Sequence, residues 1–147
     1  NPGPHGALIE RASLLPPPKG VLASAGVLDR CELVEADFFE TVRAGADTYI
    51  VCQVLHDWSD TAAAKILSNC RQAMPPDGKL LIVERVAADQ PGPEDAMLDL
   101  NILLLMGGRE RNQAEYDALL ANVGFRTARV VEWGETWRLI EATPTED

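Results

Sequence analysis

Cysteine is scarce in this chain and poorly spaced for any cross-linked scaffold. The three thiols, Cys31, Cys52 and Cys70, are odd in number and form no CxxC pair. That excludes a disulfide framework and a cysteine zinc site, and no other grouping suggests a metal. They are expected to be buried free thiols, which suits a reducing, cytoplasmic setting. Long hydrophobic runs are missing too. The longest strongly apolar stretch, Ile102 to Met106, is far too short to span a bilayer. No Lys/Arg cluster offsets a formal charge of −10, from 23 acids against 13 bases, so a polyanion such as DNA or RNA is repelled. No GxGxxG follows a strand-like run, which disfavours a nicotinamide-dependent oxidoreductase. No basic, Ser-rich or signal-like segment opens the sequence. These absences leave a small molecule as the expected ligand.

The balance that remains is that of a globular protein: 147 residues, 46% hydrophobic and 24% charged, enough for one domain with a real core. The opening NPGPHGALIE lacks Met and enters a strand-like run within six residues, so residues 1–147 read as part of a longer protein. Ala7 to Glu10 and Cys31 to Glu35 read as strands, as does Asp47 to Gln53, which is rich in β-formers. Pro16, Pro17 and Pro18 are expected to bar helix before Pro18, with a short helix over Lys19 to Ala25 stopped by Gly26. Ala63, Ile66, Leu67, Cys70 and Met74 share one helical face, with Ser59 or Asp60 as cap and Pro75 and Pro76 as the stop. Pro76 to Gly78 forms a turn before Leu80 to Val83, whose continuous apolar character predicts a strand covered on both faces. Glu94 to Met106 reads as a largely buried helix closed by Gly107 and Gly108. Asn112 with Glu115 predicts a capped helix whose stripe is Tyr116, Leu119, Leu120 and Val123. Arg126 to Val131 and Trp137 to Ala142 close the chain as strands. The pattern is α/β, mostly parallel, with an antiparallel closing pair.

In open parallel sheets, ligands bind beyond the carboxyl ends of the strands. Those ends carry Glu10, Asp37 with Phe38, the run Gln53 to Trp58, and Glu84. Four carboxylates, one histidine and two aromatics at one end of a sheet predict a ligand site, though each residue alone is more simply a cap, rim or core residue.

Four segments then become recognisable in order: DFFE from Asp37, VLHDWSD from Val54, DGKLLIVERV from Asp77 and MGGRERNQAEYDALLANVGF from Met106. Together they resemble the plant-type and actinomycete-type O-methyltransferases, which move a methyl group from S-adenosylmethionine to hydroxyls of secondary metabolites. The resemblance covers nearly the whole chain. It implies a Rossmann-like class I methyltransferase sheet, here incomplete: the first strand, its glycine-rich loop and an N-terminal helical dimerisation domain are absent. The sheet would then stand in two pieces with exposed edges. Carried over by position, Glu10 would take the ribose hydroxyls and Asp37 the adenine amino group, with Phe38 beside the ring. Asp57 and Trp58 would line the cofactor pocket. His56 would be the base that deprotonates the acceptor, flanked by Glu84 and Glu110. The logic is physical: a phenol of pKa ~10 is little ionised at neutral pH, so a neutral imidazole helps, and a carboxylate behind it stabilises the charge it gains.

Two positions depart from the family. Gln53 stands where relatives often carry a cofactor-touching Lys, and the triple proline falls where they run a regular helix. The resemblance implies a hydroxylated aromatic substrate, a homodimer for the full-length protein, and no metal. Two alternatives stay open: a non-catalytic relative acting as an interaction module, and a relative with different S-adenosylmethionine-dependent chemistry.

Overall fold

In a computed structural model, which describes residues 3–10, 16–88, 90 and 92–146, the chain divides into two compact units, residues 1–42 and 43–147. The first holds β1 (Gly6–Glu10), α1 (Pro16–Ser24), a 3-10 turn (Leu28–Arg30) and β2 (Cys31–Glu35). The two strands are parallel neighbours, registered from Gly6 opposite Cys31 to Glu10 opposite Glu35. The helix begins at Pro16 rather than after the prolines. The first turn of a helix has no intrahelical use for its N–H groups, so proline is tolerated there. The departure expected from the triple proline is therefore no break in the helix. Its end is as expected, with Gly26 at φ 65°, a left-handed conformation that glycine adopts without strain.

The second unit contains a four-stranded sheet in the order β3-β4-β6-β5, from β3 (Thr48–Cys52), β4 (Lys79–Arg85), β5 (Phe125–Trp133) and β6 (Trp137–Pro144). β3 and β4 are parallel, while β6 runs antiparallel to both β4 and β5. The β-strands thus stand in two sheets, one of two strands and one of four. β4 is not evenly covered. Leu80, Ile82 and Glu84 are buried, whereas Leu81 and Val83 are half-buried. β3 alternates likewise, with Tyr49 and Val51 buried and Ile50 exposed. The apolar run marks the strand correctly, but among the described residues only one face of it is fully packed.

α2 (Asp60–Ala73) buries Ala63, Ile66, Leu67 and Cys70, the stripe that its spacing predicts, and Met74 follows buried at its end. The Ser59 hydroxyl caps it by accepting from Ala62 N–H at 3.4 Å. α4 (Gln113–Ala121) opens on the expected reciprocal cap between Asn112 and Glu115 and buries Tyr116, Leu119 and Leu120. α3 (Pro93–Met106) is the main correction: it has no buried residue. Leu104 and Leu105 are 73% and 81% exposed, because nothing among the described residues covers that side. The thiols are free as expected, but only Cys70 is buried. Cys31 is half-buried and Cys52 exposed, since Cys52 falls on the open face of β3.

This contrast yields a prediction. Leu67→Ala removes a fully buried side chain and should lower the unfolding free energy of the chain by about 2–5 kcal/mol. Leu104→Ala should change it by less than ~0.5 kcal/mol. Urea denaturation with equal losses for both would show that α3 packs like core.

Candidate active site

The site is built where β3 ends. Gln53 N–H still donates to Val83 O at 3.0 Å, extending the ladder by one residue, but Gln53 has φ 52°. For a residue with a Cβ this left-handed conformation is strained by roughly 1–2 kcal/mol. It turns the chain off the sheet into a 3-10 turn at Leu55–Asp57. Leu55 fills the core beneath the turn, and His56 and Asp57 stay partly open above it.

Glu84, on the buried face of β4, organises this turn. Its Oε1 accepts from Val54 N–H at 2.9 Å and Leu55 N–H at 2.8 Å. Its Oε2 lies 2.7 Å from His56 Nδ1. The carboxylate is 0% exposed, and a buried anion is tolerable only when its lone pairs are filled in this way. The other ring nitrogen, Nε2, is 3.2 Å from Asp57 Oδ1. His56 is consequently held above its ordinary value. The hydrogen bond to Glu84 is the main cause, burial opposes it, and the charges of Glu84, Asp57 and Glu110 add to it.

Glu110 arrives from the segment after α3, where Gly107 at φ 78° ends the helix. The Glu110 N–H donates to Asp99 Oδ1 at 2.7 Å. Burial pushes its carboxyl up, His56 and Arg85 pull it down, and Glu84 and Asp99 push it up further. Its Oε2 is buried without a hydrogen-bond partner among the described residues. A cavity of about 520 Å³ opens here, lined among others by Arg85, Asp95, Asp99, Leu100, Leu103 and Glu110. Part of the uncovered face of α3 is thus cavity wall, a second reason for its lack of burial.

The structure therefore brings His56, Asp57, Glu84 and Glu110 together, with Trp58 half-buried at the end of the turn and Gln53 exposed at its start. In the other unit, Glu10 is the last residue of β1 and Asp37 follows β2, so both stand at the carboxyl ends of paired parallel strands. Asp37 Oδ1 accepts from Phe39 N–H at 2.9 Å. The Phe38 and Phe39 rings are 5.0 Å apart. Two residues escaped the sequence reading. Gly108 does not merely help stop α3: a Cβ there would overlap His56 O and the Asp57 carbonyl carbon. Arg111 is fully buried beside the same turn. The adjacent pair of glycines followed by two arginines is the only local sign of either.

Comparison with known proteins agrees with this arrangement. The O-methyltransferase domain family matches residues 17–126, and the chain belongs to that family. Over 90% of its length it is 39% identical to the mitomycin biosynthesis 6-O-methyltransferase of Streptomyces lavendulae, covering 38% of that protein. The solved mitomycin 7-O-methyltransferase MmcR superposes with a TM-score of 0.92 at 37% identity, over 98% of this chain and 43% of that one. The neocarzinostatin O-methyltransferase NcsB1, crystallised with S-adenosylmethionine and a naphthoic acid, gives a TM-score of 0.83 at 28% identity, over 95% and 41%. Relatives include methyltransferases named for oxygen and for nitrogen acceptors on phenazines. The chain thus spans about two fifths of the length of the relatives it matches.

The pairing of His56 with Glu84 sets a pH dependence of stability. A histidine whose folded-state value is raised stabilises the fold fully below its unfolded value of ~6.5, and loses that contribution as pH rises through the folded value. Burial of Glu110 has the same sign in a lower window, starting from its ordinary value of 4.5. The urea midpoint of the chain should therefore fall between pH 6 and pH 8, and this fall should be absent in Glu84→Gln. An identical slope in that variant would mean that Glu84 does not hold the histidine proton. Separately, Gly108→Ala should lower stability by about 1–3 kcal/mol and shift the amide resonances of His56 and Asp57; unmoved resonances would show that the close approach is dispensable.

Proposed function

We propose that the whole protein transfers a methyl group from S-adenosylmethionine to a hydroxyl of phenolic type on a small aromatic molecule, with His56 as general base. The observation that carries this reading is the ring of His56 fixed by a buried, hydrogen-bonded Glu84, with its charge neighbour Glu110 lining a cavity, within a family of S-adenosylmethionine-dependent enzymes.

When bound, S-adenosylmethionine supplies a methyl carbon made electrophilic by the sulfonium it sits on. The residues present fit such a group. Glu10 and Asp37 offer carboxylates at the carboxyl ends of neighbouring parallel strands, and a carboxylate can accept paired ribose hydroxyls or an exocyclic amino group. Phe38 provides an apolar ring beside Asp37; in the second unit, Gln53, Asp57 and Trp58 are proposed in their own right as cofactor-binding residues.

The proton chemistry follows from the hydrogen bonds of Glu84. Because Oε1 already accepts two backbone N–H groups, Oε2 is left to accept from the ring. A neutral His56 therefore carries its proton on Nδ1 and presents a lone pair at Nε2. The acceptor hydroxyl gives its proton to Nε2, and Glu84 stabilises the imidazolium that results. Asp57, now 3.2 Å from Nε2, must give up that place to the hydroxyl. The cavity wall of leucines and carboxylates suits an aromatic ring bearing hydrogen-bond donors. The full-length protein is proposed to be a cytoplasmic homodimer, a setting in which its free thiols stay reduced.

In the full-length enzyme, His56→Gln should lower kcat by ~10²–10⁴-fold while leaving the affinity for S-adenosylhomocysteine unchanged. Unaltered kcat would overturn the general-base role. The 147-residue chain, with about two fifths of the length of its relatives, is proposed to be inactive alone and to show no tight binding of S-adenosylhomocysteine in a calorimetric titration. Tight binding would refute that.

A further inference from the structure

We propose that Arg111 is a positioning residue: it clamps both ends of the turn that carries His56 and so keeps the ring on Glu84. This rests on the reading of His56 as the base. The Arg111 side chain is 1% exposed. Its Nη1 donates to Leu55 O at 2.7 Å and its Nη2 to Trp58 O at 2.7 Å, the carbonyls on either side of His56 and Asp57. Its Nε donates to Asp60 Oδ1 at 2.9 Å, which anchors the guanidinium to the first residue of α2. One planar fork thus spans three points, something a lysine ammonium cannot do.

The other polar groups of the turn are held from two further directions. Glu84 accepts from Val54 and Leu55 N–H, and Arg109 N–H donates to His56 O at 2.9 Å. The turn is therefore gripped on its donor side by β4 and on its acceptor side by residues 109–111. Asp60 also pairs with Arg109, and Arg109 with the capping Glu115 of α4, so the clamp is tied to the starts of two helices.

The charged groups facing His56 are Glu84 from β4, Asp57 from its own turn and Glu110 from the segment after α3. Loss of Arg111 has two opposite consequences for the ring. Removing a nearby cation would raise the histidine midpoint, whereas freeing the turn would separate the ring from Glu84 and lower it. The sign therefore distinguishes a clamp from a mere charge.

The test is an NMR titration of the imidazole nitrogens in the 147-residue chain, with His56 distinguished from His5 by the His56→Gln variant. Arg111→Lys keeps the charge and removes the fork. Asp60→Ala, at a residue 59% exposed, removes the anchor together with the Asp60 pair with Arg109. Both should bring the His56 midpoint down toward ~6.5 and broaden the Nδ1 proton signal. An unchanged midpoint and Nδ1 signal in the folded variants, even with a lower melting temperature, would overturn the clamp and leave a buried ion pair. Should Arg111→Lys not fold, Asp60→Ala decides by the Nδ1 proton signal, because loss of the Asp60 charge would by itself lower the midpoint; an unchanged signal would overturn the clamp. The base role fails separately: His56→Gln with full turnover sinks that reading, whatever the titration gives.

Discussion

A single buried carboxylate, that of Glu84, accepts from two peptide N–H groups and lies in hydrogen-bond contact with an imidazole, all on one short turn. Burying an unpaired carboxylate would cost several kcal/mol, and removing any one donor would expose part of that penalty. β4 and the turn therefore stabilise each other or neither. The strain at Gln53 belongs to the same balance. Its left-handed φ brings Val54 and Leu55 over Glu84, and their charge-assisted hydrogen bonds, each roughly 1.5–3 kcal/mol, offset it.

Register makes the geometry reproducible. Cys52 is opposite Val83, and Gln53 N–H reaches Val83 O, so the chain leaving β3 passes beside the next residue of β4, Glu84. Alternation then places Glu84 on the same face as Leu80 and Ile82, the face that forms the core. An acid in that series breaks the apolar pattern that the strand otherwise follows. Such a break is stable only where donors are aimed at it, so the polar core position and the turn above it are one feature.

The strands and the amphipathic stripe of α2 were legible because period and composition are local. So were the cap of α4 and the three acids around His56, the latter through motifs. The errors came from distant partners. The leucine-rich α3 reads as buried from its own residues, but burial depends on what lies across from it, and part of its face lines a cavity. Cys52 reads as core in a β-rich run, yet it lies on the open face of β3. The prolines of α1 read as a bar to helix before Pro18, although the first turn of a helix is where they do least harm. Arg111 and Gly108 act on a turn some fifty residues away, and the local run of glycines and arginines does not say what they touch.

The carboxylates that orient His56 also hold its proton, which works against the proposed general-base role, since a base must start neutral. The two partners differ in how far they can relax. Glu84 is immobilised by backbone donors and by its strand, so its pull on Nδ1 is permanent and fixes the tautomer. Asp57 shares the turn with the ring, is 28% exposed, and among the described residues is held there by Nε2. Water can take over its hydrogen bonds when an acceptor enters. In that case the stabilisation of imidazolium by Asp57 is lost at the moment a hydroxyl replaces it, while that of Glu84 remains for the product of proton transfer. The neutral ring is then favoured before transfer and the charged ring is supported after it, with one carboxylate movable and the other not.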